Sequence, residues 1–260
     1  MWYWSDTASI YYLLPLIGLV VGLLGSLLGG GGGFVFLPLL TLVVGVPAQT
    51  AVVTSLVATL PVCIAGSVAH FRRGNIDFKV GAVFALSGII GAVAGAFLSQ
   101  RLSPLQLKTG FGAYAVFMAL KLFWDTRRKK EEVLAASTAR QGFFRILYGL
   151  VAGGISGTFG TSGTAPVMAG LFSLRLGMKV VIGTSLLVVL VNTVFATSAH
   201  FLLGRVDLTL VTFLTAGSAL GAVVGPRLLV YSERSEHSEP ILRYGYALAM
   251  LVLGLLMIVK

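Results

Sequence analysis

Thr54-Ser55-Leu56, then Ala69-His70-Phe71, Gly74 and Asp77: this string returns later in the chain as Thr184-Ser185-Leu186, Ala199-His200-Phe201, Gly204 and Asp207. The shift is half the length of the 260-residue sequence. Beyond it, Gly91-Ala92-Val93 and Gly95 fall on Gly221-Ala222-Val223 and Gly225. Apolar coincidences are common in a hydrophobic chain, but threonine, serine, histidine and aspartate repeating at fixed spacing are not. The sequence reads as two copies of one unit, and a repeat found this early decides the architecture.

What surrounds the repeat says where those copies sit. The chain is 57% hydrophobic and 11% charged, against about 45–50% and about 25% in soluble domains. So few charges cannot cover the outside of a soluble protein this size, which excludes an ordinary cytosolic enzyme as well as disorder. Apolar segments run over 10–28, 34–46, 50–71, 78–99, 105–124, 143–159, 165–176, 180–203, 208–230 and 241–259. Eight are long enough to span a bilayer. The second and seventh, with about 12–13 residues, cover only about 18–20 Å of a core about 30 Å thick and are expected to be half-helices or re-entrant segments. The expected fold is an all-α polytopic membrane protein of five plus five segments. The first repeat covers 1–124, a cytoplasmic linker 125–142, and the second repeat 143–260. Five being odd, the halves face opposite ways, an inverted-topology repeat of the kind common among secondary transporters.

Orientation follows from the basic residues. If the ten segments alternate across the membrane, 15 of the 19 Lys and Arg fall on one side, including the Arg127-Arg128-Lys129-Lys130 run. That side is the cytoplasm, so both termini are expected outside, in a plasma (bacterial inner) membrane. The net charge of +10 then belongs to cytoplasmic loops on anionic lipid rather than to nucleic acid. Trp2, Tyr3 and Trp4 look like interfacial anchors. The single Cys63 permits no internal disulfide, no Cys/His spacing suggests a metal, no Walker motif is present, and no cofactor is expected. Pro47, Pro104 and Pro240 mark helix starts, with Ser103 and Ser238 nearby as caps. Asp77 and Asp207 are expected to cap the helices that follow them.

Each half carries a break before its short segment: Gly25-Ser26-Leu27-Leu28-Gly29-Gly30-Gly31-Gly32-Gly33-Phe34 and Ser156-Gly157-Thr158-Phe159-Gly160-Thr161-Ser162-Gly163-Thr164-Ala165-Pro166. Five consecutive glycines disfavour helix by about 1 kcal/mol each relative to alanine, and bare backbone cannot face lipid. Such a loop feeding a helix offers backbone N–H groups and the positive end of the helix dipole, an anion site. The candidate substrate residues are Gly31, Gly32 and Gly33 in the first break and Gly160, Thr161, Ser162, Gly163 and Thr164 in the second. Thr164 is the expected N-cap, with Pro166 in the first turn. The first short helix could start at Phe34 or nearer Pro38. Close helix packing is the other use of such glycines, and it suffices for Gly88, Gly91, Gly95 and Gly221.

Thr54, Ser55, Thr184 and Ser185 either bond a carbonyl one turn back or line a shared cavity. Asn192, in mid-segment, lines the pathway or joins helices. His70 and His200, near segment ends, either stabilise those ends through the dipole or serve coupling and gating. No Asp or Glu lies in the middle of a segment, so the carboxylate relay of many proton pumps is missing. Hydroxyls and backbone amides in a cationic protein favour a small anion as partner, with a proton or sodium ion as candidate coupling ion.

These residues resemble the TauE/SafE sulfite exporter family, also called the toluene-sulfonate uptake permease family. The matching stretches are 25–38, 51–56 and 70–77 in the first half and 156–166, 183–186 and 200–207 in the second, so the resemblance covers nearly the whole chain outside the linker. It implies a transporter of small sulfur-containing anions such as sulfite, sulfoacetate and other organosulfonates. The Thr and Ser of the second break depart from the glycine-rich pattern of the first, a difference that bears on selectivity. A passive anion channel could share the architecture. An intramembrane enzyme fits less well, because no nucleophile sits beside a base.

Overall fold

The computed structural model describes residues 2–6, 9–28, 32–127, 138–174, 176–204, 206–232 and 238–259. Among them the chain forms ten α-helices: α1 (Leu14–Leu28), α2 (Gly33–Leu42), α3 (Ala48–Arg72), α4 (Phe78–Arg101), α5 (Pro104–Arg127), α6 (Thr138–Phe159), α7 (Thr164–Phe172), α8 (Met178–Leu203), α9 (Leu208–Ser232) and α10 (Ser238–Val259). A 3-10 turn, Ser9–Leu13, leads into α1. α5 runs to Arg127 and α6 begins at Thr138; residues 128–137, within the expected linker, lie outside the described part.

The helix starts follow from local chemistry. Pro47 is the N-cap of α3. Before α5, Ser103 Oγ accepts from Gln106 N at 3.2 Å while Gln106 Oε1 accepts from Ser103 N at 2.8 Å, a reciprocal cap that satisfies two amides. Asp77 Oδ1 accepts from Val80 N at 3.0 Å, and Asp207 Oδ1 accepts from Thr209 N at 3.0 Å and Leu210 N at 3.3 Å. Both aspartates therefore cap as the sequence indicates.

Among the described residues, six helices are long and apolar enough to cross a membrane, over Ser9–Ser26, Ala48–Arg72, Phe78–Arg101, Gly142–Phe159, Met178–Leu203 and Leu208–Gly225. The protein is thus a multi-pass membrane protein, all-helical among the described residues apart from one short strand pair. The sequence suggested eight spanning segments. α5 has the length, but Gln106, Lys108 and Lys121 dilute its apolar character. In the last segment only Ala247–Val259 counts as apolar helix among the described residues.

The helices interleave across the sequence. α1 lies along α9 and the two run parallel: added methyls at Gly18 and Gly22 would strike Ser218, one at Gly217 would strike the carbonyl of Pro15, and one at Gly221 that of Leu19. α4 lies along α6 in the same way, with Gly149 against Phe84, Gly153 against Gly88 and Gly157 against Ala92. These backbone-to-backbone approaches leave no room for side chains, so Gly91, Gly95 and Gly221 serve helix packing, while Gly88 makes room for the Asn192 side chain. α5 and α10 pair antiparallel, with Gly112 against Gly254 and the tilted rings of Phe123 and Tyr244 5.7 Å apart. α3 and α8 fill the centre and are largely buried.

The two strands, β1 (Trp2–Tyr3) and β2 (Val206–Asp207), pair in parallel. Trp2 Nε1 also donates to the carbonyl of Phe201 at 3.1 Å. The amino-terminal aromatics therefore sit against the connection between α8 and α9. Trp2 and Trp4 remain exposed.

Candidate substrate site at the two helix breaks

The two short helices are shorter than their apolar runs. α2 has 10 residues and α7 has 9, about 15 Å and 14 Å at the helical rise. α2 begins at Gly33 and carries Pro38 inside it, which settles the start left open by the sequence. α7 is capped by Gly163, at φ +57°, and Thr164 is its first residue rather than its cap. The reason is steric. After α6 the chain doubles back, and a methyl at Gly163 would drive into the carbonyl of Ala152. Only a residue without Cβ takes that left-handed turn at such close range. Gly32, at φ +74°, caps α2 in the same conformation.

The two breaks touch. A methyl at Gly33 would lie 3.0 Å from Ser162 N, 3.1 Å from Thr59 Oγ1 and 3.2 Å from Thr161 Cα. Ser55 Oγ donates to the carbonyl of Gly160 at 3.0 Å and lies 3.0 Å from that of Val52. Thr59 Oγ1, one turn on, donates to the carbonyl of Ser55 at 2.8 Å. Thr164 Oγ1 donates to Ser162 Oγ at 2.9 Å. Gly33, Ser55, Thr59 and the whole of 160–164 are buried. The structure thus gathers Gly32, Gly33, Ser55, Gly160, Thr161, Ser162, Gly163 and Thr164 into one closed region between the half-helices and α3. Gly31 lies outside the described residues. The sequence reading missed Thr59, although its position four residues after Ser55 puts both on one helix face.

The other candidates are described by their own contacts. Thr54 Oγ1 donates to the carbonyl of Thr50 at 2.9 Å. Thr184 Oγ1 accepts from Asp77 N at 3.0 Å and so fastens the α3–α4 connection to α8. Ser185 Oγ is buried without a partner. Asn192 is 0% exposed, lies over Gly88 of α4, and has both Oδ1 and Nδ2 unpartnered. His200 is fully buried. Its Nε2 lies 2.7 Å from the carbonyl of Gly157 and its Nδ1 3.3 Å from Gln100 Nε2. A carbonyl only accepts, so the contact to Gly157 requires a proton on Nε2. His200 therefore ties the last turn of α6, just ahead of the second break, to the end of α4. His70 is half-buried and its Nδ1 has no partner.

The gathered region holds hydroxyls, backbone and two helix starts, with no ionisable side chain. Such a set binds by hydrogen bonding and dipole, and the positive ends of α2 and α7 favour negative charge. Among the described residues, no group of three His, Cys, Asp or Glu is placed to hold a metal.

The family described as "Sulfite exporter TauE/SafE" matches residues 14–257. The probable membrane transporter protein YdhB of Bacillus subtilis is 30% identical over 224 residues, covering 84% of this chain and 88% of that one. YunE of the same organism, also named a probable membrane transporter protein, is 24% identical over 249 residues, with 84% and 89% coverage. A probable membrane transporter protein of Xylella fastidiosa is 28% identical over 233 residues, with 88% and 89% coverage.

Proposed function

The chain belongs to the TauE/SafE sulfite exporter family, and from that premise we propose that this membrane transporter moves a small sulfur-containing oxyanion by alternating access. Sulfite, sulfoacetate or a related organosulfonate is the substrate. The observation that carries the reading is the contact between the two helix breaks, Gly33 against Thr161 and Ser162. Two half-helix starts converge there on buried hydroxyls, in a region without acidic side chains that would repel an anion. The site comprises Gly31–Gly33, Thr54, Ser55 and Gly160–Thr164, with Thr184, Ser185 and Asn192 on α8; His70 and His200 act in coupling or gating.

The inverted repeat, 1–124 against 143–260, is supported by helix pairing. α3 and α8 start 130 residues apart, as do α4 and α9 (48 and 178, 78 and 208). Under that shift the α1–α9 pair becomes the α6–α4 pair. Gln49 Nε2 donates to the carbonyl of Leu102, and β1 pairs with β2. These contacts gather the N-terminus and the starts of α3, α5 and α9 on one face. α4 and α6 run parallel from the opposite face, so α6 enters opposite to α1. This agrees with termini outside and the 128–137 connection in the cytoplasm.

The test uses purified full-length protein in sealed vesicles. Saturable uptake of labelled sulfite or sulfoacetate, with counterflow driven by unlabelled anion, is the expected result. Flux that never saturates favours a channel, and no flux of any sulfur oxyanion overturns the substrate class.

A further inference from the structure

An apolar cluster in the second half joins Phe84 and Ala85 of α4, Ala152 of α6, Val167 and Leu171 of α7, and Val181 and Val188 of α8. One helical turn further along these helices the chemistry changes. The residues become Gly88 on α4, Ser156 on α6 and Asn192 on α8, and α7 begins there behind Gly163, which rests on Ala152. Asn192 lies directly over Gly88, and Gly153 of α6 abuts the backbone of the same glycine. Asn192 Oδ1, Asn192 Nδ2 and Ser156 Oγ are all buried without a hydrogen-bond partner, and both residues are 0% exposed. A buried polar atom left unpaired is destabilising and calls for an explanation. Three of them in the layer beside a helix start point to a ligand.

We propose that Asn192, Ser156 and the first turn of α7 form the subsite that recognises the transported anion, and that it selects a monoanion carrying a hydrogen-bond donor of its own. This rests on the transport reading above and specifies the ligand. The carboxamide offers two N–H donors at one end and one acceptor at the other, and both ends are unpartnered whichever way the amide is turned. An oxyanion oxygen takes the N–H groups, the Ser156 hydroxyl and the dipole of α7. Oδ1 then requires an O–H or N–H on the ligand. A protonated oxyanion such as hydrogen sulfite supplies one, whereas sulfate supplies acceptors only. None of the layer's residues is Lys or Arg, and a helix end carries about half a unit of positive charge, which suits one negative charge better than two. The matching positions of the first half do not repeat the arrangement. Val62 stands for Asn192, Ser218 donates to the carbonyl of Ala58 at 2.7 Å, and Ser26 to that of Leu23 at 2.8 Å.

The test compares sulfite, sulfate and methanesulfonate, a monoanion without a donor, by uptake into vesicles and by thermal shift of the full-length protein in detergent. In the wild type, sulfite should bind best, and its KM should rise as pH passes through the second ionisation of sulfite. Asn192→Leu should raise the sulfite KM about ten- to a hundredfold, the range for losing a hydrogen bond to a charged group, and flatten its pH dependence. Gly88→Ala pushes a methyl into the Asn192 carboxamide and should raise KM in the same direction, a check that does not depend on the first variant folding. Wild-type KM and pH profile in both variants would overturn the subsite and leave transport standing. Equal or tighter binding of sulfate or methanesulfonate would overturn the donor requirement. A wild type that moves no sulfur oxyanion removes the transport reading and the subsite together.

Discussion

The two helix breaks hold matching places in the two halves and are made of different materials. The first is glycine up to Gly33, and the residues set around it are already engaged: Ser26 and Ser218 spend their hydroxyls on backbone carbonyls, and Val62 has nothing to offer. The second is Thr161-Ser162-Gly163-Thr164, fastened to α3 through Ser55 and to α4 through His200 and Gln100, with Asn192 and Ser156 unspent beside it. Equivalent backbone positions can therefore diverge in role. In the proposed site, one half would present polar side chains to the ligand and the other would present backbone.

The largest effects should come from the caps. Gly163→Val and Gly32→Val both force a branched side chain into a left-handed turn, a strain of about 1–2 kcal/mol before any clash. At Gly163 the obstacle is the carbonyl of Ala152; at Gly32 the nearest atom is Val21 Cγ1 at 2.8 Å, which can move more readily. Both variants should abolish uptake, with the greater drop in melting temperature for Gly163→Val. A tolerant Gly163 would break the comparison at its root.

His200→Ala comes next. It strands the carbonyl of Gly157 and opens space in a packed core, which should lower stability by about 3 kcal/mol, while His70→Ala should cost under about 1 kcal/mol. Unfolding of both variants in detergent measures the difference.

The third pair reverses sign. Because Asn192 is unpaired, Asn192→Val should raise thermal stability by about 1–3 kcal/mol while impairing uptake. The matching Val62→Asn should lower stability by a similar amount. Two changes of the same sign would deny that the halves differ in this respect. The smallest contrast is Ser55→Ala, which loses the link to Gly160 and should cost about 1 kcal/mol. Ser185→Ala removes an unpartnered hydroxyl and should leave the melting temperature level or slightly raised.

Much of this was legible in the sequence because it depends on short-range chemistry. Glycine runs break helices, Asp77 and Asp207 cap them, and a polar string repeated at half the chain length announces duplication. What could not be read was register between distant helices. That Gly33 meets Ser162, or that Gly88 makes room for Asn192, depends on how α4, α6 and α8 slide against one another, and glycines that permit close approach do not name their partner. His200 shows the same limit. Its place near the end of α8 suggested a dipole or gating role, and the sequence carries no sign that the crossing of α8 with α6 and α4 buries it. Gly163 displaced Thr164 as cap because Ala152 lies underneath, which no local rule reveals.

The strand pair at the amino terminus bears on biosynthesis. Trp2 and Tyr3 find their partners at Val206 and Asp207, and α1 finds its long parallel neighbour only when α9 has been made. At about 5–20 residues per second of translation, some 200 residues correspond to about 10–40 s. Through that interval the glycine-notched face of α1 at Gly18 and Gly22 has no helix to receive it, so the first segment inserts early and docks late. Assembly of the nascent chain must therefore finish from its ends inward upon itself, with the first helix among the last to be locked.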